Sequence, residues 1–519
     1  MKKQARIDNL GGLGVNKDLP PFALPPNVWS DGKNVRCDRG RARNFAGHTE
    51  VSACTGTFYY LLPAQSTTSY YYYFCSGTAI KEWNGASCTD RTRSSGAYTS
   101  SATDRWNGGV LHGIPVLNNG VDAPQYLAAP GAGNFTDMIW SGATTWTTQN
   151  VTAKVVRPWR NFLVALDTTE SGSRDPHLFR MSDAADPGQM PSTWDETDVT
   201  ALTYKTTMSE TAGRLIDAVP LGQDLIVYKE DAIYRVTFVG SPDILQIDII
   251  TDKYGMRAQG CAVDIGGAHV VLGVNGVYVH NGSTITPLAY GRISETLFGD
   301  INGSLYERAF LAANPLQNEV WVCYPDTLAT TFPNKSWVIN HKDDTWYPRD
   351  LPDETAYIAI GVDVESAADD TYAATTLTYD TATRTYGDRG YNPTIQTLHG
   401  LAGSKLYKFD QAQQFAGVDP DCYVQRQGLS IGGSNTVQMV TAVYPEITAT
   451  DTVTVTVGAQ KHPTDAINWD SPQTFDPSSD IKVDCRATGA LFAVKFGSSN
   501  GAKWELTGYT LEYSEAGKR

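Results

Sequence analysis

Two stretches of the chain, Leu225–Tyr234 and His269–Tyr278, superpose at an offset of 44 positions, and each reads as strand, tight turn, strand. A third unit follows in Phe310–Ala313, the turn-like Asn314–Asn318 and Glu319–Val322. Weaker copies lie on both sides: Tyr72–Ile80 and Ile114–Gly120, whose turn glycines are 43 apart, then Phe162–Ala165 with His177–Arg180, and Leu401–Tyr407. A period of about 40–50 residues built of strands is the signature of propeller blades. Each blade has two apolar faces, and neither is buried until neighbours stack around a closed ring. The spacing therefore predicts an all-β chain whose body is a β-propeller of six or seven blades between residues 51 and 415, with a stacked array of β-sandwiches as the alternative. The composition agrees: 47 Gly, 26 Pro, 27 Tyr and 12 Trp are the material of short strands joined by tight turns.

Two stretches interrupt the period. Residues 167–212 contain Arg174-Asp175-Pro176-His177 and Asp186-Pro187-Gly188, and residues 363–396 contain the echo Leu377-Thr378-Tyr379-Asp380 and Arg384-Thr385-Tyr386-Gly387. Both are expected as exposed insertions. After residue 420 the texture changes. Thr452–Val457 alternates strictly, Leu491–Phe496 more loosely, and Trp504–Tyr513 closes the chain, so residues 420–519 are expected to form a separate sandwich-like domain. Residues 1–50 are expected as an extended N-terminal arm. The segment Leu19, Pro20, Pro21, Phe22, Ala23, Leu24, Pro25, Pro26, with Trp29 just beyond it, cannot form regular structure and suits attachment to a partner.

Charge divides unevenly. Residues 1–50 hold nine Lys or Arg against five Asp or Glu, a net of +4, and the remainder carries 32 against 51, a net of −19. An acidic body repels duplex DNA, so a tight grip on nucleic acid is excluded as an expectation. No window reaches the roughly 18 apolar residues of a membrane span, and the N-terminus lacks the apolar core of a signal peptide. The eight cysteines, at 37, 54, 75, 88, 261, 323, 422 and 485, include no CxxC pair. They read as small buried hydrophobes in a reducing cytoplasm.

The opening Gly11-Gly12-Leu13-Gly14 and Leu24-Pro25-Pro26-Asn27-Val28-Trp29-Ser30-Asp31-Gly32-Lys33-Asn34-Val35-Arg36, followed by Gly40-Arg41-Ala42-Arg43, resembles the N-terminus of tail proteins of short-tailed bacteriophages. The series Tyr254-Gly255-Met256-Arg257-Ala258, Gly276-Val277-Tyr278, Asn281-Gly282, Asn318-Glu319-Val320-Trp321, Trp337-Val338-Ile339-Asn340 and Thr345-Trp346 is similar in order and spacing to the tail nozzle, or DNA-stabilisation, subunits of those phages. The resemblance spans most of the chain and rests on structural residues. It implies a structural virion protein, made in the host cytoplasm, that forms a homo-oligomeric ring, a hexamer, below the portal and adaptor rings. Such a ring meets tail fibre or spike proteins, retains packaged DNA and conducts it out at ejection. Six copies carry a formal charge of about −90, which suits a wall along which DNA slides without sticking.

Motifs of chemistry are missing: no Walker loop, no GxSxG elbow, no HExxH and no EF-hand loop. In Ser182-Asp183 the Trp of a sialidase Asp box arrives too late, at Trp194. The expectation is a chain that is not an enzyme and has no cofactor. The acidic run Asp363, Glu365, Asp369 and Asp370, with Tyr379 and Tyr386, supplies candidates for a channel wall or distal tip, with Ca²⁺ ligation by the run as a lesser reading. His48, His112 and His269 read as ordinary surface or core histidines. Two rivals remain: a virion glycan depolymerase, which needs facing carboxylates, and an adhesin binding host glycan through exposed tyrosines such as Tyr70-Tyr71-Tyr72-Tyr73.

Overall fold

The computed structural model describes residues 2–66, 69–352, 354–364, 391–432 and 436–518. It is all-β, a seven-bladed propeller joined to a two-sheet sandwich. Each blade is a four-stranded antiparallel sheet in which successive strands pair. Blade 1 runs from Tyr60–Gln65 to Cys88–Asp90, blade 2 from Asn107–Leu111 to Thr136–Asp137, and blade 3 from Val151–Trp159 to Tyr204–Thr207. Blade 4 runs from Leu215–Leu221 to Ile244–Thr251, blade 5 from Ala262–Asp264 to Ile285–Pro287, and blade 6 from Phe310–Asn314 to Thr345–Asp350. Blade 7 takes Thr355–Val364, Tyr391–Ala402 and Lys405–Phe409 from the end of the series, and its fourth strand, His48–Ala53, from before the first blade. The innermost strand of every blade packs on the innermost strands of its two neighbours, and the ring closes between Tyr60–Gln65 and Thr355–Val364.

All seven candidate repeats fall in blades. The third is out of phase: Leu225–Tyr234 and His269–Tyr278 cover the second and third strands of blades 4 and 5, whereas Glu319–Tyr324 is the second strand of blade 6. Of residues 167–212, expected as an exposed insertion, Phe162–Glu170, Ser173–Met181 and Tyr204–Thr207 belong to blade 3. Residues 182–203 and 208–212 are irregular, and Trp194 is buried edge-on against Trp146 at 5.0 Å. Residues 365–390, most of the second insertion, lie outside the described residues.

The sandwich consists of two six-stranded sheets. The expected C-terminal strands are present as Val453–Gln460, Leu491–Ser498 and Trp504–Lys518. The N-terminal segment lies against this domain and supplies strands to both of its sheets. Lys3–Asp8 and the hairpin Val35–Asp38/Arg41–Asn44 join the sheet of Trp504–Lys518, and Asp31–Lys33 pairs with Cys422–Leu429. The glycines of Gly11-Gly12-Leu13-Gly14 are required by close packing. A Cβ at Gly11 would stand 2.0 Å from the Arg41 carbonyl oxygen, and Gly14 has φ +67° with the Trp346 carbonyl 2.6 Å from any added Cβ. Within the attachment segment Leu24 and Trp29 are buried, Pro21 is half-buried, and Leu19, Pro20, Phe22, Pro25 and Pro26 are exposed. Trp29 donates its indole N–H to the Leu10 carbonyl at 2.6 Å.

Part of the basic excess of residues 1–50 is paired within the molecule, while Lys2, Lys3, Arg6 and Arg39 remain exposed. Arg41 pairs with Glu505 at 2.9 Å, Arg43 with Asp38 at 3.0 Å, and Arg36 with Glu319 of blade 6 at 2.5 Å. One continuous apolar core runs from the sandwich, through Trp29, Phe496 and Tyr509, into blades 4 to 7.

The reading of all the cysteines as buried thiols is corrected. Cys54 and Cys88 are joined in a disulfide, with Cα atoms 5.9 Å apart. Cys54 follows the fourth strand of blade 7 and Cys88 opens the fourth strand of blade 1, so the cross-link staples the two outer strands at the closure of the ring. A separation of 34 residues gives no hint of this, because only the closed ring brings the two positions together. Of the others, five are buried and Cys485 is half-buried.

Candidate functional site: the propeller axis, its mouth and an inter-blade groove

A conduit through one propeller would have to follow its axis, and inner-strand side chains fill that axis. Tyr60 of blade 1 lies 4.6 Å from Tyr357 of blade 7, whose ring in turn lies 5.4 Å from Phe310 of blade 6. From the opposite side Arg157 of blade 3 makes a two-pronged ion pair with Asp217 of blade 4, both contacts 2.8 Å, and donates to the Gly108 carbonyl of blade 2 at 3.0 Å. Its guanidinium reaches far enough across to act on the hydroxyls of Tyr60 and Tyr357. Burial raises the pKa of Tyr60, so it is a neutral plug residue. Although burial opposes its charge, Arg157 is held protonated by Asp217. Duplex DNA therefore has no path through one subunit along this axis.

At one mouth of the axis the segments that lead into the inner strands converge on a cavity of about 130 Å³, lined by Asp104, Arg105, Lys154, Arg214, Gln259 and Glu307 among others. Arg214 bridges Glu230 at 2.9 Å and Glu307 at 2.6 Å. Arg105 donates to the Gln259 carbonyl, at 3.0 Å, and Lys154 to the Gly120 carbonyl, at 3.0 Å. The cavity admits a single small group, since sites for larger ligands run from about 300 Å³ upward.

A second opening is a groove of about 710 Å³ between blades 4 and 5, lined by Glu230, Asp231, Lys253, Tyr254, Val274 and Tyr290 among others. Tyr290 is 86% exposed, and Tyr254 leans on Tyr278 at 5.2 Å. Asp231 Oδ1 is buried and has no hydrogen-bond partner among the described residues. Exposed aromatic rings beside carboxylates are a chemistry that holds sugars, the rings taking the apolar faces and the carboxylates the hydroxyls.

The residues singled out from sequence lie elsewhere. Asp363 sits in the inner strand of blade 7, and nothing is described of its side chain. Glu365, Asp369, Asp370, Tyr379 and Tyr386 lie outside the described residues. Among the described residues no group of three His, Cys, Asp or Glu is placed to hold a metal, and no helix is long and apolar enough to cross a membrane. The tyrosine run does not form an exposed platform. Tyr72 and Tyr73 are fully buried within the second strand of blade 1, Tyr70–Cys75, while Tyr70 and Tyr71 at its start are half-buried and line an opening of about 960 Å³ with His112. His269 and His280 both bond the Tyr228 hydroxyl, at 2.7 and 2.6 Å, in the interior, His48 is buried, and His112 is exposed in a turn. Sequence reasoning missed the groove and the mouth, since their residues come from turns that only the ring brings together.

No protein-family model and no curated protein matches the chain. Among solved structures it is similar to PorZ, a surface component of the type-IX secretion system of Porphyromonas gingivalis, at 10% identity and TM-score 0.38, over 84% of this chain and 59% of PorZ. It is also similar to YCF48 from Cyanidioschyzon merolae, at 10% identity and TM-score 0.35, over 70% of this chain and 99% of that one. A third is an exo-β-1,3-galactanase from Phanerochaete chrysosporium, at 8% identity and TM-score 0.27, over 89% and 99%. The chain thus spans about three fifths of the length of PorZ. The expectation that the chain is not an enzyme is corrected here, because a glycosidase stands among the similar structures. Likeness at this level assigns no activity.

Proposed function

We propose that the chain is a subunit of the tail nozzle of a short-tailed bacteriophage, built into the virion as a ring of copies below the portal and adaptor rings. The ring retains packaged DNA and lets it pass at ejection. The observation that carries this reading is the filled axis of the propeller beside a sandwich welded to it through one core. A rigid two-part subunit with no passage of its own can surround DNA only when several copies enclose a bore between them. The resemblance at Gly11–Arg43 and Tyr254–Trp346 and the net charge of −15 support it further. The sandwich would face the adaptor side, and loops of the propeller would meet fibre or spike proteins. Imaging intact particles and tracing this chain tests the reading: a ring around the DNA axis below the adaptor is expected. A position on a peripheral fibre, or absence from purified particles, would overturn it.

A second reading is favoured by the groove at Tyr254 and Tyr290: a virion propeller that binds or cleaves host-surface glycan. Glycan-array binding that is lost in Tyr290→Ala, or sugar release from host polysaccharide, would favour it over the nozzle.

A further inference from the structure

Six of the seven blades keep their outer edge short or covered. The outermost strands of blades 1, 2, 3 and 5 are short: Cys88–Asp90, Thr136–Asp137, Tyr204–Thr207 and Ile285–Pro287. In blade 6 the N-terminal segment covers Thr345–Asp350, the Val15 amide donating to the Trp346 carbonyl at 2.8 Å and the Asn34 amide to the Pro348 carbonyl at 3.2 Å. In blade 7 residues 412–416 cover the start of His48–Ala53, where the Ala416 amide donates to the His48 carbonyl at 2.9 Å. Blade 4 differs. Its outermost strand, Ile244–Thr251, is eight residues long with one charge and no proline, and among the described residues no strand pairs with its outer side. Ile249 on it is 43% exposed. A long apolar edge of this kind is a template for another strand. The sandwich has a free edge of opposite charge in Lys3–Asp8, which pairs with Trp504–Lys518 on one side and, among the described residues, with no strand on the other. Lys2, Lys3 and Arg6 are exposed along it, whereas the blade 4 edge carries Asp248 and is flanked by the exposed Asp243 and Asp252.

We propose that the edge Ile244–Thr251 of one copy takes the edge Lys3–Asp8 of a second copy as an added antiparallel strand, a head-to-tail contact between propeller and sandwich. Charge selects the register. Placing Arg6 opposite Asp248 also places Lys2 opposite Asp252 and Ala5 opposite Ile249, so two pairs of opposite charge and one apolar pair form together. Within its own copy Arg6 is held by Asp8 at 2.8 Å and Lys2 by Glu512 at 2.7 Å, surface pairs that exchange for new partners at little cost. Pairing of the blade 4 edge with its own counterpart is opposed, because the register centred on the strand sets Asp243 against Asp252 at both ends. A head-to-tail contact repeats from copy to copy, and its closure into a ring rests on the nozzle reading.

The test uses the purified full chain. Facing residues of an antiparallel pair have Cα atoms about 4.5–5.5 Å apart, within reach of a disulfide. Under mild oxidation a mixture of Arg6→Cys and Asp248→Cys chains should therefore give a cross-linked dimer, and a chain carrying both changes a ladder of multimers. Arg6→Cys mixed with Asp198→Cys, in the irregular segment of blade 3, should give none. In sedimentation across a concentration series, Arg6→Glu and Asp248→Arg should each weaken self-association about fivefold, and both changes in one chain should restore most of it. No cross-link in the first mixture, or no recovery in the charge-swapped chain, would overturn the proposal. Cross-linking of Asp248→Cys chains with one another in preference to Arg6→Cys would assign the edge to a two-fold contact and overturn it as well. A ring seen in intact particles without the cross-link would leave the nozzle reading standing and remove this contact, whereas the cross-link without a ring in particles would keep the contact and remove the nozzle.

Discussion

Glu319 holds three donors at once: Arg36 at 2.5 and 3.1 Å, the Tyr347 hydroxyl at 2.8 Å and the Trp321 indole at 3.2 Å. Asp410 joins Arg36 and Arg349 beside it, and both guanidiniums lie over the Phe45 ring, at 4.5 and 4.7 Å. Removing one partner of a buried pair costs about 3–5 kcal/mol. Glu319→Ala should therefore lower the denaturant midpoint sharply, and the double variant with Arg36→Met should recover part of the loss; additive losses would show that the two do not act as a pair. A second prediction concerns pH. Burial, followed by the charge of Arg349, pushes His48 down to about 3, and burial with His269 pushes His280 to about 4. Both stay neutral in the folded protein at pH values where the unfolded chain, with imidazole pKa near 6.5, takes up protons. Unfolding then consumes protons, so stability is full above pH about 6.5 and falls as pH drops toward 4, by several kcal/mol in total. His48→Phe should flatten that slope in denaturation series at pH 7, 6 and 5, and an unchanged slope would rule out His48 as a contributor. None of these groups was legible as a site in the sequence: Arg36 and Glu319 are 283 positions apart, and only the union of sandwich and blade brings them together.

The element that decides ring closure is the strand His48–Ala53, paired antiparallel with Lys405–Phe409. Strand, turn and period were legible because each blade repeats an apolar second and third strand around a turn, as Leu225–Tyr234 and His269–Tyr278 show. The phase at Glu319 and the borrowed strand were not. Residues 48–53 carry no mark of belonging to the last blade rather than the first, and the pairing is settled only by which edge is left open once six blades have stacked. The staple Cys54–Cys88 secures the same seam. In the denatured, unreduced protein thiol titration should count six free thiols, and eight would show the bond absent. The double variant Cys54→Ser/Cys88→Ser should lose about 3–4 kcal/mol, the amount expected for cross-linking a loop of this length.

At the scale of the molecule, charge and the closed axis make one prediction together. With a net charge of −15, the chain should bind duplex DNA more weakly than the roughly 10⁻⁴–10⁻⁶ M of non-specific binders at physiological salt. Retardation at low protein concentration in a gel would contradict a repulsive wall. The two-part architecture was legible from the change in texture near residue 420, but not the sharing of the sandwich between both ends of the chain, because strand partners far apart in sequence leave no local periodicity.

That sharing, with the borrowed strand of blade 7, bears on how the protein is made. Apart from the hairpin Val35–Asp38/Arg41–Asn44, the strands of residues 3–53 are made long before the strands they pair with, which begin near residue 405 and end at 518. At a synthesis rate of about 5–20 residues per second, roughly 20–70 s pass before the blade 7 edge emerges, and longer before the last strand of the sandwich. Throughout that interval the nascent chain carries an open ring with exposed strand edges and a waiting N-terminal segment. Its natural hazard is to close with the corresponding segment of a second nascent chain, so translation speed and chaperone supply set the yield of correctly closed subunits.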